Sequence, residues 1–349
     1  MVQTRGINTP QLSPNQQWIV YRVYTDNGLQ LWTVRFEGGT PKLLLDDANL
    51  PADKLPEGYV RRAFSDSRWG PGSNTLSVTL TLVPEPEKPL PLLLELWQIN
   101  VETGALKFLN ELGRAWRPFY SPDGDRFLTV ATGSDEQPDG AIKLSETGGG
   151  KATTLLTFPA SPGKLTYDSQ VAWIDNASAW VAIPVADFGQ PAPPNGTEIY
   201  RLEGSELQKV SDVDAFMVFW SPAADQMAYT RFVSETMSTN ELYLANADGA
   251  NPGLYATMTD GQFINWSPSG ARFLYQDNYQ VFVGEQGKPP VRMANGVSMV
   301  GPRWISDAKI MAYHDAGNSW LLTLRDVNGE AAGLLPLPRD AMWDVSPPR

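Results

Sequence analysis

Hydrophobic and polar residues alternate along most of the chain in short runs that are separated by turn-forming residues. In the segment 216–257 the apolar run FMVFW is followed by the turn SPAADQ and then by two alternating runs, MAYTRF and ELYLANA. The turn DGANPG follows ELYLANA, and the run LYATM closes the segment. Runs with a period of two residues that end in Pro, Asp, Asn or Gly predict β-strands joined by tight turns. This segment therefore predicts four short antiparallel strands, called A, B, C and D in chain order.

The same unit recurs along the whole chain, and its marker is an aromatic or aliphatic residue before Ser-Pro at the end of strand A. The marker is WSP at 220–222 and 266–268, YSP at 120–122 and LSP at 12–14, with weaker copies at Trp69, Trp173, Trp304 and Val345. Successive copies are 38–57 residues apart, and no segment of ten or more residues has a sustained helical stripe. Repeats of this size predict an all-β protein.

Seven complete units predict a seven-bladed β-propeller of four-stranded antiparallel blades, because such a sheet buries both faces only between two neighbours. The predicted blades span residues 5–45, 60–110, 114–158, 168–210, 214–257, 261–295 and 300–338 of one domain, 1–349. Residues 340–349 are either a closing strand or the start of a further segment, which would allow an eighth, truncated blade. We expect most of the 12 Trp, 12 Tyr and 13 Phe residues to pack between blades, Trp220 and Trp266 among them.

The marker and the strands that follow it resemble the repeats of the TolB-type, WD-repeat-like propeller family. The segments FYSPDGDRFL (119–128), FWSPAADQMAY (219–229) and INWSPSGARFLY (264–275) carry the resemblance best. Repeats two, four and seven depart from the pattern, because WGPGSN, WIDNAS and WISDAK lack Ser-Pro. The resemblance implies a binding scaffold, although the same fold also serves sensors, docking modules and enzymes.

Composition narrows the chemistry that the chain can perform. The formal net charge of −12 disfavours nucleic acid and anionic lipid as partners. Cysteine is absent and His314 is the single histidine, which excludes thiolate chemistry and sites with several histidines. We expect His314 to lie at the surface or in a loop. No catalytic residue, metal site or cofactor is predicted, and no segment of 18 apolar residues suggests direct membrane insertion.

The predicted loops differ in length on the two faces of the disc. The A–B and C–D turns are tight, and the long insertions 46–59, 84–91, 133–141, 186–197 and 233–240 all belong to D–A or B–C connections. In an antiparallel unit these connections lie on one face, the long-loop face. Long loops are where binding residues are usually found, so this face is the predicted binding face.

Arginines gather in or just before strand A, which lines the channel of a propeller: Arg61, Arg62, Arg68, Arg114, Arg117 and Arg303. Guanidinium groups suit carboxylate or phosphate ligands. The alternative is pairing within the chain, with Asp66, Asp168, Asp214 and Asp340. The predicted ligand-binding residues are Arg68, Arg117, Arg303, Arg62, Arg114, Trp116 and Trp343.

These observations predict a monomeric, non-catalytic recognition scaffold that binds a protein or a small anionic ligand on the long-loop face and at the channel mouth. We expect it to be part of a larger exported or membrane-tethered protein of bacterial type, in the periplasm or outside the cell rather than in the cytoplasm. The alternative is a glycan-cleaving propeller enzyme that uses carboxylates of the channel. A third reading is a structural spacer, which predicts a flat and polar long-loop face.

Overall fold

The computed structural model describes residues 7–26, 28–70, 74–88, 90–113, 118–131, 139–148, 150–159, 170–185, 195–233, 237–293, 299–315 and 319–338. These residues form 28 strands in seven four-stranded antiparallel sheets, and they contain no α-helix. The fold is the predicted seven-bladed β-propeller, with one sheet for each blade. The described part of the chain also contains no helix long and apolar enough to cross a membrane.

The described residues up to Pro159 belong to one compact unit, which holds three sheets. Sheet 1 consists of β1 (Ile7–Leu12), β2 (Trp18–Thr25), β3 (Gly28–Arg35) and β4 (Lys42–Asp46), and a 3-10 turn follows at Asp47–Asn49. Sheet 2 consists of β5 (Tyr59–Trp69), β6 (Thr75–Pro84), β7 (Leu93–Asn100) and β8 (Leu106–Gly113). Sheet 3 consists of β9 (Pro118–Tyr120), β10 (Arg126–Ala131), β11 (Asp139–Glu146) and β12 (Thr153–Pro159).

The described residues from Gln170 to Pro338 belong to a second compact unit with four sheets. Sheet 4 is β13 (Gln170–Trp173), β14 (Ser178–Pro184), β15 (Thr197–Glu203) and β16 (Glu206–Val213). Sheet 5 is β17 (Met217–Trp220), β18 (Gln226–Phe232), β19 (Thr239–Asn246) and β20 (Gly253–Thr259). Sheet 6 is β21 (Gln262–Trp266), β22 (Arg272–Asp277), β23 (Gln280–Glu285) and β24 (Val291–Arg292). Sheet 7 is β25 (Met299–Ser306), β26 (Lys309–Asp315), β27 (Ser319–Asp326) and β28 (Ala331–Pro338).

Each sheet contains four strands that are consecutive in the sequence and paired in that order. They are strands A to D of one repeat, so each sheet has two distinct ends. The A–B and C–D turns lie at one end, which we call the tight-turn end. The B–C loop and the connections to neighbouring repeats lie at the other, the long-loop end. Of the long insertions, 46–59 connects the long-loop ends of sheets 1 and 2, and 84–91 connects β6 to β7 at the long-loop end of sheet 2. The segment 340–349 lies outside the described residues.

The recurring Ser-Pro is explained by the hydrogen bonds of its serine. Ser121 Oγ accepts from the backbone N of Arg126 at 3.1 Å, and Ser267 Oγ accepts from the backbone N of Arg272 at 3.2 Å. Ser221 repeats the arrangement with Gln226. In each case the hydroxyl closes the tight A–B turn from inside, and the serines are buried. The motif is therefore a turn-forming feature and carries no chemistry of its own.

Tryptophans pack between neighbouring sheets, as predicted for Trp220 and Trp266. Trp220 is buried in a cluster that also contains Ile199 of sheet 4. Trp266 of sheet 6 donates its indole N–H to the carbonyl oxygen of Phe219 in sheet 5 at 2.9 Å. Such indoles combine a large apolar contact with a directed hydrogen bond. Adjacent sheets are thus held both by packing and by register-specific contacts.

The expectation for His314 is wrong. Its side chain is buried within β26, and its Nε2 lies 2.9 Å from the hydroxyl oxygen of Thr323 on β27. β26 is paired on both sides, with β25 and β27, so even a polar residue near its end is enclosed. The single histidine is therefore a part of the interior.

Candidate functional site

Two long loops meet at the long-loop end of sheet 2. Residues 47–58 connect sheet 1 to β5, and residues 85–92 connect β6 to β7. The backbone N of Glu85 donates to the carbonyl oxygen of Gly58 at 2.8 Å, and Tyr59 Oη donates to the carbonyl oxygen of Pro91 at 2.8 Å. Gly58 has φ +87°, and a Cβ at this position would lie 2.5 Å from Leu90 Cδ1. We call the described residues of these two loops the loop platform.

Arg62 of β5 connects the loop platform to sheet 2 through hydrogen bonds. Its Nε and Nη2 donate to the two carboxylate oxygens of Glu95 at 2.7 and 3.1 Å, and these side chains are 3% and 6% exposed. Its Nη1 donates to the carbonyl oxygens of Pro51 and Asp53 at 2.7 and 3.0 Å. Trp97 Nε1 donates to Glu95 as well, at 2.8 Å. The bidentate pair is thus a fixed support for the loop above it.

The loop platform exposes apolar side chains although it is held firmly. Leu90 and Leu92 are exposed, and so is Val60 at the beginning of β5. Single exposed apolar residues are common on protein surfaces, but these three all lie at one end of one sheet. Lys88 and Glu85 form an ion pair beside it at 3.1 Å. The arrangement suits contact with another protein more than contact with a small polar molecule.

The structure separates the predicted ligand-binding arginines. Arg62 lies at the long-loop end, but its guanidinium N–H groups donate to Glu95 and to the carbonyl oxygens of Pro51 and Asp53. Arg68 is the penultimate residue of β5, and its partner on β6 is Ser77, seven residues from Pro84, the partner of Tyr59. That separation corresponds to roughly 23 Å along the strand. Arg68 therefore belongs to the opposite part of β5 from the loop platform.

The remaining predicted residues lie in the second unit or outside the described residues. Arg303 lies in β25 of the second unit, where its ladder partner is Met311. The others lie outside the described residues: Arg114, Trp116, Arg117 and Trp343. The predicted cluster of Arg68, Arg117 and Arg303 stays a prediction.

Arg68 belongs instead to a charged group between sheets 1 and 2. Arg22 Nη2 donates to one oxygen of Asp66 at 2.5 Å, and Arg68 Nε donates to the other at 3.1 Å. The Arg22 guanidinium also lies over the ring of Phe64, 5.1 Å from its centroid. Pairing within the chain, the alternative reading of the sequence, thus accounts for Asp66. We call Arg22, Asp66 and Arg68 the arginine pair site.

The second unit has a strained turn at the long-loop end of sheet 6. Asn278 and Tyr279 have φ +44° and +61°, and Asp260 beside them has φ +45°. The backbone N of Asn278 donates to the carbonyl oxygen of Thr259, which links the turn to the end of sheet 5. Tyr279 is exposed. A bulky residue in the left-handed region is uncommon, and its backbone strain lowers the free energy of unfolding. Tyr279 therefore costs the folded protein some stability.

Hydrogen bonds stabilise the ionised form of several described carboxyl groups. Hydrogen bonds lower the pKa of every described Asp and Glu whose pKa is shifted: Asp123, Asp175, Glu285 and Asp307. Of the four aspartates predicted beside strand A, Asp66 is ion-paired with two arginines and Asp214 with Arg231, and Asp168 and Asp340 lie outside the described residues. A glycan-cleaving pair needs one carboxyl with a raised pKa. Within the described residues, no group of His, Asp and Glu is placed to hold a metal ion.

Comparison with known proteins gives matches in structure alone. No protein-family model matches the chain, and no curated protein matches it either. A prolyl endopeptidase is similar with a TM-score of 0.64 at 14% identity, over 95% of this chain and 50% of that one. The β-propeller domain of the Trilobed protease from Pyrococcus furiosus is similar with a TM-score of 0.54 at 14% identity, over 81% and 85%. The likeness shows a β-propeller.

The predicted resemblance to TolB-type repeats is supported only at this coarser level. TolB from Acinetobacter baumannii matches at 12% identity over 95% of this chain and 63% of that chain, with a TM-score of 0.43. A score that low does not single out one repeat family. The chain spans half the length of the prolyl endopeptidase that it resembles, so that enzyme's activity cannot be assigned to it.

Proposed function

We propose that the chain is a non-catalytic recognition scaffold, and that a partner protein binds the loop platform. The observation that carries the proposal is the combination of fixed loops and exposed leucines at one end of sheet 2. Loops that are already ordered lose little conformational entropy when a partner binds. Apolar side chains presented on them can then be buried by a partner segment that carries apolar side chains of its own.

The alternatives receive less support from the same part of the molecule. A structural spacer would leave polar and weakly attached loops at this end, whereas the loop platform exposes Leu90 and Leu92 and is anchored by Arg62 and Glu95. A glycan-cleaving enzyme would need a pair of carboxyl groups free to act on a sugar, whereas the described carboxylates Asp66 and Asp214 beside strand A are engaged with arginines. Protein recognition is the function that the described geometry favours.

The proposal is tested by site-specific cross-linking with a matched control. Leu92 on the loop platform and Leu254 on β20 are exposed to similar extents, 61% and 54%, but lie in different surroundings. A photoreactive amino acid is placed at either position, and the protein is irradiated in an extract of its source cells. We expect a discrete cross-linked protein from position 92 and none from position 254.

The captured protein is then purified, and its affinity is measured for two variants. Leu92→Asp should weaken binding about tenfold or more, because a charge replaces a side chain that is buried on binding. Leu254→Asp should leave the affinity unchanged. Equal cross-linking at both positions, or equal affinity of both variants, would remove the loop platform from the binding surface.

A further inference from the structure

We infer that the arginine pair site binds an oxyanion, either a carboxylate or a phosphate group. The site lies between sheets 1 and 2 and is separate from the loop platform, so this inference does not rest on the proposed function. It is carried by the charge balance of Arg22, Asp66 and Arg68, by the orientation of Arg68 and by the burial of Arg22.

The charge balance leaves the site positive in a strongly acidic protein. Two guanidinium groups share the single carboxylate of Asp66, which gives the group a formal charge of +1. The whole chain has a formal net charge of −12. Elsewhere on the same unit, Arg35 pairs with a carboxylate of its own, Glu102, at 3.2 Å. The arginine pair site therefore retains a positive charge that an added anion would neutralise.

The orientation of Arg68 leaves a binding edge for that anion. Asp66 holds Arg68 through Nε at 3.1 Å, and no further hydrogen bond of Arg68 occurs within the described residues. Its side chain is 44% exposed. The two terminal nitrogens are thus accessible while the guanidinium is held in place. Two parallel N–H groups match the two oxygens of a carboxylate or phosphate.

Arg22 adds a second cation that water screens poorly. Its side chain is largely buried, and its Nη2 contacts Asp66 and lies 3.5 Å from the hydroxyl of Ser67. Its Nε is buried and has no hydrogen-bond partner in the described part of the chain. A buried charge acts over a longer distance than an exposed one. Arg22 therefore supplies attraction, and Arg68 supplies the direct contact.

The test measures the binding of two simple oxyanions, inorganic phosphate and acetate, to the whole protein. Titrations are followed by NMR at pH 7 and constant ionic strength, with chloride as the balancing anion. The variants are Arg68→Ala, Asp66→Asn and the matched control Arg35→Ala. Circular dichroism verifies that each variant is folded.

We expect saturable binding of at least one oxyanion, and the tighter of the two identifies the ligand class. Arg68→Ala should weaken binding about tenfold or more, because both terminal donors are lost. Asp66→Asn should tighten binding about 5- to 10-fold, because it removes a neighbouring negative charge and keeps an oxygen acceptor. A gain of affinity in Asp66→Asn is not expected from a purely structural role.

Three results would overturn the inference. They are no saturable binding of either oxyanion, equal affinity of Arg68→Ala and the wild type, and an equal loss in Arg35→Ala. If Asp66→Asn does not fold, Arg68→Ala together with the control still decides between the outcomes, because the Arg68 side chain is exposed and hydrogen-bonds only to Asp66 among the described residues.

Discussion

Replacing Arg62 by methionine should lower the free energy of unfolding by about 3–5 kcal/mol, the range found when one partner of a buried ion pair is removed. The magnitude follows from what remains. Glu95 would keep a buried negative charge with only the indole N–H of Trp97 as its donor, and the carbonyl oxygens of Pro51 and Asp53 would lose theirs. Methionine preserves most of the apolar volume, so the loss would come from the polar contacts.

The assay is urea unfolding, combined with hydrogen exchange at residues 51–53. Arg35→Met is the matched control, because Arg35 and Glu102 form an exposed ion pair on the same unit, and its cost should be about 1 kcal/mol or less. The double variant Arg62→Met, Glu95→Leu should lose less than the two single variants combined, because neither charge is then left alone. If Arg62→Met were as stable as Arg35→Met, or if exchange at 51–53 did not change, the anchoring role of Arg62 would be refuted.

Two further predictions concern packing and strain. Trp220→Ala should cost about 3–5 kcal/mol, and Trp266→Ala somewhat less, because Trp266 is only partly buried; unchanged thermal melting of both variants would contradict the packing between sheets. Tyr279→Gly should raise stability by about 1 kcal/mol, since glycine adopts φ +61° without strain and the exposed ring buries little surface; a lower melting temperature would show that the ring is needed for packing.

The sequence predicts the sheets well because their information is local. A strand is recognised by its own alternation, and the A–B turn by a serine that accepts a hydrogen bond five residues later, as in Ser121 and Arg126. Ser-Pro marks four of the seven repeats without knowledge of any distant contact, and the tryptophans of the weaker copies, Trp69, Trp173 and Trp304, mark the other three. The number of blades follows from counting these marks.

The positions of the arginine side chains are harder to predict from the sequence. β-Bulges interrupt the alternation by which side chains are assigned to the two faces of a sheet. Arg62 and Arg68 are six residues apart and would point the same way in a regular strand. A register shift between Phe64 and Asp66 reverses this, so Arg62 is buried and Arg68 is exposed. The partner of Arg62, Glu95, lies on strand C, and no local pattern connects the two. Recognising Arg22 as a second cation beside Asp66 likewise requires the contact between two sheets.

The strictly consecutive order of strands within each sheet has a consequence for synthesis of the protein. Among the described residues, no sheet borrows a strand from a distant part of the chain, so the last residue that sheet 1 needs is Asp46. At a translation rate of about 5–20 residues per second, a further sheet can complete its hydrogen bonds every few seconds as the polypeptide leaves the ribosome. The face of each completed sheet that packs against the next repeat then stays open to solvent until that repeat emerges.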